Sequence, residues 1–190
     1  MGKLLLQSVM MIVLMTLLTG IAYPLAVTGL AQAVFAHAAN GSVVERNGKP
    51  LGSELIGQPF DDPKYFWGRP SATSPQAYNA GGSAASNLGT NNQALIDAVK
   101  QRVDALHAAD PGNKAAVPVD LVTASGSGLD PQISPAAALY QVARVARLRH
   151  LDAAKVQSLV DRATEQRTLG LLGEPRVNVL ELNLMLDQRW

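Results

Sequence analysis

Between Lys3 and Glu45 the chain carries no Asp, Glu, Lys or Arg, and Leu, Val, Ile, Met and Ala dominate positions 4–35. No polar face recurs there at helical spacing, which argues against a buried helix of a soluble protein. About 20 apolar residues in a helix cross a bilayer core about 30 Å thick. The pattern therefore predicts one transmembrane helix, spanning about residues 10–30 of an anchor at 1–36, with a soluble domain over 37–190. A cleaved secretory signal is the alternative, since Lys3 precedes the run and Ala36, His37 and Ala38 form a small-x-small site. The run is much longer than the roughly 7–15 apolar residues of a signal core.

After the anchor the pattern changes character. Residues 42–46 read as a short strand, followed by an Asn47-Gly48 hairpin turn, and 51–58 read as extended. From 61 to 90 the chain is rich in Pro, Gly, Ser, Ala and Asn, so neither helix nor strand is expected. Tyr65, Phe66, Trp67 and Tyr78 argue that this long irregular stretch is ordered, pinned to a core or to a partner.

Helical spacing returns at Leu95, Ile96, Val99, Val103 and Leu106, with Asn91 or Asn92 as cap and an end near Ala109. Residues 117–123 read as a strand and 124–130 as a Ser/Gly turn. Ser134 as cap with Pro135 in the first turn starts a helix to about Arg149, and Asp152 caps another to about Gln166. Residues 177–186 alternate as a strand would at Leu180, Leu182, Leu184 and Leu186, but Asn178 as a cap favours helix. The fold class is α+β: one transmembrane helix, then one mixed domain, helix-rich with a small sheet.

Within the anchor, Thr16, Gly20 and Pro24 recur every four residues, and Ala22 and Ala26 widen the small-residue surface. Small side chains let a second helix approach closely, so this face is predicted to pack against a partner rather than serve as a passive anchor. Pro24 cannot donate to the Gly20 carbonyl, which predicts a disturbance of the helix there.

Composition and charge narrow the function. With 16 basic and 15 acidic residues the net charge is +1, which argues against nucleic-acid binding. There is no cysteine, so disulfides and thiolate metal sites are impossible. His37, His107 and His150 lack metal-ligand spacing. No Gly-x-Ser-x-Gly elbow and no Walker sequence occurs, and the 125–128 Ser/Gly loop reads as a chain reversal before it reads as an anion cradle. No catalytic residue is assigned. Lys3 at the short N-terminus favours that end in the cytoplasm and the large domain outside it.

The sharpest local signal is Tyr-Phe-Trp-Gly-Arg-Pro-Ser-Ala-Thr at 65–73. Three adjacent aromatics cannot all enter one small core, so at least one should face a groove or a partner. Aromatics and Arg carry most interface energy. Pro70 holds Arg69 in an extended conformation. No acid lies nearer to Arg69 in sequence than Asp62, so its partner is distant or on another chain. An interface role competes here with a structural one.

Several stretches together resemble the C subunit of the Kdp-type bacterial potassium-transporting ATPase. They are Ile-Ala-Tyr-Pro-Leu at 21–25, Asn-Gly-Ser at 40–42, Gly-Ser-Glu-Leu-Ile-Gly-Gln at 52–58 and the 65–73 segment. Ser-Asn-Leu at 86–88, the run 117–130, Ile133-Ser134-Pro135 with Gln141 and Arg144, and Val-Asn-Val-Leu-Glu-Leu-Asn at 177–183 continue the series to the end of the chain. One departure is local: Gly81-Gly82-Ser83 is separated here from Ser86-Asn87-Leu88, a run the family tends to keep together.

The resemblance implies a non-catalytic accessory subunit of a high-affinity potassium uptake pump in the bacterial inner membrane. Its partners would be a channel-like A subunit, an ATP-hydrolysing B subunit and a small F subunit. The implied role is assembly and a raised ATP affinity of the B subunit, with ATP met at most indirectly. Gln141 is similar to the glutamine discussed in the family for nucleotide contact. That implication conflicts with a domain outside the cytoplasm, where ATP is not found. The alternative class is an autonomous anchored envelope hydrolase using Ser and Asp groups of the Gly/Ser loops.

Overall fold

The computed structural model describes residues 1–187, so residues 188–190 of the predicted domain lie outside the described part. The chain divides into two compact units, Met1–Pro50 and Leu51–Trp190.

In the first unit, α1 (Gly2–Leu17), a π-helical turn (Leu18–Ala22) and α2 (Tyr23–Val34) run on as one helix of 33 residues, Gly2–Val34. At about 1.5 Å per residue it is about 50 Å long, more than a bilayer core needs. No side chain of its apolar window is buried, so the unit offers nothing to cover that surface. Two of its hydroxyls bond within the helix: Ser8 donates to the Leu4 carbonyl and Thr19 to that of Met15. The π turn sits immediately before Pro24, where the Tyr23 N–H reaches back to Leu18. Pro24 lacks the donor for Gly20, and the wide turn is how this helix absorbs that loss. The disturbance expected at Pro24 is therefore a local change of helix type.

A short α3 (Ala36–Ala39) follows. Asn40 then exchanges amide hydrogen bonds with Gln32 at 3.1 and 3.2 Å. Strands β1 (Val43–Arg46) and β2 (Lys49–Ser53) pair across the predicted turn. Asn47 and Gly48 both have positive φ, 52° and 70°, as a two-residue hairpin loop of this hand requires.

Three helices of the second unit start at caps that the sequence marks. Helix α4 (Gln93–Ala109) is capped by Asn92, whose side chain accepts from the Ala94 N–H. Helix α5 (Pro135–Arg149) is capped by Ser134 and starts with Pro at its first position. It ends at His150 in the left-handed region. Helix α6 (Ala153–Ala163) is capped by Asp152 and packs on α5. The three caps act within a few residues of themselves, so local sequence suffices to place them.

Two expectations needed correction, and the helix favoured for 177–186 holds from Val179 on. Residues 117–123 form no strand; a 3₁₀ turn (Val119–Leu121) follows Pro118, burying Leu121 and Val122. The Asp120 carboxylate there accepts from the Ser134 N–H at 2.7 Å. Helix α6 stops at Ala163, before Gln166, because Thr164 and Glu165 become β4 (Thr164–Glu165). Residues 177–186 are strand and helix in turn: β5 (Arg176–Asn178) runs directly into α7 (Val179–Leu186). Strand β3 (Gln132–Ile133) completes an antiparallel sheet in the order β3-β5-β4, with Ile133 and Thr164 both opposite Val177. Leucines alternate within this helix because Leu180, Leu182, Leu184 and Leu186 are all buried, so α7 is enclosed and shows no polar face.

The core gathers Val145, Ala138 and Val142 of α5, Val156 and Val160 of α6, Leu182 of α7, Val177 of β5, and Phe66 from the irregular stretch.

Candidate functional site

The segment 65–73 is the ordered centre of the irregular stretch, and side chains of α5 and α7 hold it. Asn183 Oδ1 accepts the Phe66 N–H at 2.9 Å, and its Nδ2 donates to the Phe66 carbonyl at 3.0 Å. One residue on, Gln141 does the same for Trp67, at 2.8 and 3.1 Å. In an extended chain the N–H and C=O of one residue face one edge and those of the next face the other. Each carboxamide thus takes the place of a neighbouring strand, exchanging both bonds as a hydrogen-bonded antiparallel pair does. This satisfies backbone that a buried loop would otherwise leave unpaired.

Arginines frame the aromatics. Arg144 is buried, its guanidinium 4.4 Å from the Trp67 ring centroid, and it donates to Gln141 Oε1 at 2.5 Å and to the Pro63 carbonyl. Burial pulls its pKa down to about 10, so it stays charged at neutral pH. Arg149 lies 4.5 Å from the Tyr65 ring and pairs with Asp187 at 2.6 Å, while the Tyr65 hydroxyl donates to the other oxygen of Asp187. Of the three aromatics only Phe66 is fully buried; Tyr65 and Trp67 are half-exposed, as the crowding argument required.

The rest of the segment is laced to the Ser/Gly turn. Ser71 donates to the Gly128 carbonyl at 2.6 Å, Ser125 N–H to Pro70, and Ala84 N–H to Ser127. Gly128 has φ of +69°, and a Cβ there would stand 2.6 Å from the Ala84 carbonyl oxygen. The turn reverses the chain and braces the loop, the simpler of its two readings.

A cavity of about 250 Å³ opens between this segment and α4, lined by Phe60, Trp67, Arg69, Tyr78, Arg102 and Leu106 among others. Tyr78 donates to the Arg69 carbonyl, and its phenol is raised to about 12, by burial first and then by Asp130 and Asp61. Arg102 donates to the Val122 carbonyl at 2.8 Å, and burial lowers its pKa.

The site residues singled out by sequence are dispersed. Gln141 is inside, 1% exposed, and its amide also donates to the Ala137 carbonyl, so both its oxygen and its nitrogen are engaged. Arg69 meets a partner distant in sequence but in its own chain, Asp130 at 3.1 Å. In the first unit, a Cβ on Gly20 would find only the Thr16 methyl, at 4.0 Å. Thr16 and Gly20 are thus neighbours on an open face, and the π turn intervenes before Pro24.

Sequence reasoning missed Asn183 and the framing roles of Arg144 and Arg149. The available signal was an amide or guanidinium standing at positions otherwise buried and apolar: Gln141 and Arg144 between Ala138 and Val145, and Asn183 between Leu182 and Leu184.

Comparison with known proteins agrees with this chain along its length. The family described as "K+-transporting ATPase, c chain" matches residues 5–188. A protein of Methylococcus capsulatus named "Potassium-transporting ATPase KdpC subunit" is 66% identical over 180 residues, 95% of each chain. Proteins of the same name from Polaromonas naphthalenivorans and Dechloromonas aromatica are 64% and 60% identical over 187 residues. Those matches cover 98% of this chain and 95% and 98% of theirs. With the family match spanning 5–188 and relatives 60–66% identical over nearly the whole chain, the chain belongs to the K+-transporting ATPase c chain family.

Proposed function

We propose that this chain is a non-catalytic accessory subunit of a high-affinity, ATP-driven potassium uptake pump in the bacterial inner membrane. It would sit with a potassium-conducting A subunit, an ATP-hydrolysing B subunit and a small F subunit, stabilise their assembly and raise the ATP affinity of the hydrolysing subunit. The carrying observation is how the polar groups of the second unit are spent. Gln141, Asn183, Arg144 and Arg149 all hold or frame one extended aromatic segment. That is the arrangement of a shaped contact surface. Gln141 could touch a nucleotide only by releasing Trp67 and Arg144, so the reading assigns it to shaping the segment, with any effect on ATP passed through the partner subunits.

The domain is placed outside the cytoplasm, on the strength of Lys3 before a long uncharged helix. A reporter active only outside the cytoplasm, fused after the C-terminus, should be active. A silent reporter beside an active cytoplasmic one would reverse the orientation and restore direct nucleotide contact. For the role itself, the complete pump purified with this chain should show a lower half-saturating ATP concentration than the pump purified without it. Equal values would remove the ATP effect and leave assembly alone.

A further inference from the structure

We propose that the 250 Å³ cavity between α4 and the 65–73 segment receives a single side-chain cluster of another pump subunit: one bulky apolar residue with a carboxylate beside it. The proposal rests on the subunit reading above and names the surface through which it would work. The cavity is smaller than the roughly 300–1,000 Å³ of small-molecule sites, so it suits a side chain rather than a nucleotide. Its walls are mostly apolar, with Phe60, Trp67, Leu106 and Leu121 facing a space that nothing in this unit fills.

The charge of the occupant follows from Arg102. A guanidinium carries five N–H donors. Among the described residues Arg102 spends one nitrogen on the Val122 carbonyl and pairs with no carboxylate. Burial lowers its pKa, and the one acid of the lining, Asp61, is not among its hydrogen-bond or ion-pair partners in the described residues. The other arginine of the lining, Arg69, is already neutralised by Asp130. A purely apolar occupant would desolvate Arg102 further without a counter-charge, a costly arrangement. An occupant with a carboxylate turns that cost into a charge-assisted hydrogen bond. An apolar anchor in a pocket beside a desolvated charge pair is also how interface hot spots are built.

The test uses the whole pump. The chain has no cysteine, so Ala77→Cys on the exposed rim gives this subunit a unique attachment point for a benzophenone cross-linker. Illumination of assembled pump in membranes should join it to another subunit, at a peptide with Asp or Glu next to a bulky apolar residue. Cross-links to lipid alone, to a second copy of this chain, or to a peptide lacking an acid would overturn the proposal. In parallel, Arg102→Glu and the cavity-filling Ala105→Phe should each lower recovery of this chain with the pump about tenfold, while Arg102→Lys keeps most of it. Should Arg102→Glu fail to fold, Ala105→Phe and the cross-link decide. Wild-type recovery of both folded variants overturns the pocket alone. Failure of the unaltered chain to be recovered with the pump overturns the subunit reading, and this proposal with it.

Discussion

Gln141 and Trp67, 74 positions apart, close a two-bond ring: the carboxamide takes the Trp67 N–H at 2.8 Å and returns a donor to its carbonyl at 3.1 Å. Asn183 closes the same ring on Phe66 from the other edge. A segment without regular structure is thereby held as if it were the middle strand of a sheet.

Removing one of these clamps should be expensive. Gln141→Leu leaves the Trp67 N–H and C=O unpaired and takes an acceptor from buried Arg144. A loss of about 3 kcal/mol is expected in urea unfolding of the full chain in detergent, from the cost of unsatisfied buried groups. Gln141→Glu retains an acceptor for Trp67 and a partner for Arg144 but cannot donate to the Trp67 carbonyl, so it should fall between the two. A Leu variant within about 0.5 kcal/mol of the unaltered chain, the range of ordinary surface substitutions, would mean that the segment is held by packing alone.

Arg69 and Asp130 should behave as a coupled pair. Both are only about a quarter exposed, 26% and 28%. Arg69→Ala and Asp130→Asn should each cost about 1 kcal/mol, and the double variant about the same as either single one. Strict additivity would show that the pair contributes nothing. Loss of pump recovery at a temperature where the Arg69→Ala chain is still folded would add an external partner for this arginine.

On the long apolar helix, Gly20→Leu should reduce recovery of the pump about tenfold, whereas Leu14→Ile should leave it unchanged. Gly20 lies open beside Thr16, and a large side chain there would keep a neighbouring helix at a distance. Equal recovery of the two variants would make the helix a passive anchor.

Alkaline unfolding should report on Tyr78. Its phenol titrates near 12 when folded and near the ordinary value of about 10 when unfolded. Between those values the unfolded chain releases a proton that the folded chain keeps. The stabilisation is therefore whole below pH 10 and is lost as pH rises through 12, by up to about 2–3 kcal/mol. Arg144 acts in the opposite direction, because its folded pKa lies below its unfolded one, but it does so equally in both chains compared. Urea midpoints at pH 9 and pH 12 should diverge less for Tyr78→Phe than for the unaltered chain; identical divergence would place the hydroxyl in solvent.

The features legible in the chain are those decided by near neighbours. An uncharged run between Lys3 and Glu45 can only be an apolar helix or a strand of improbable length, and 33 helical residues result. Asn92, Ser134, Asp152 and Asn178 cap helices because a cap needs only the N–H groups two or three residues on. Tertiary structure decided everything that depends on which elements become neighbours. Residues 117–123 have strand-like composition, yet they pair with none of the described strands. Thr164 and Glu165 leave the helical path because Val177 and Arg176 are there to receive them. Periodicity cannot place Gln141 against Trp67, Asn183 against Phe66 or Asp130 against Arg69, since these contacts span 74, 117 and 61 positions. An amide on a buried helix face shows that some polar group must meet it there; which one is set by the packing of the whole unit, because the hydrogen bond is short-ranged in space and blind to distance along the chain.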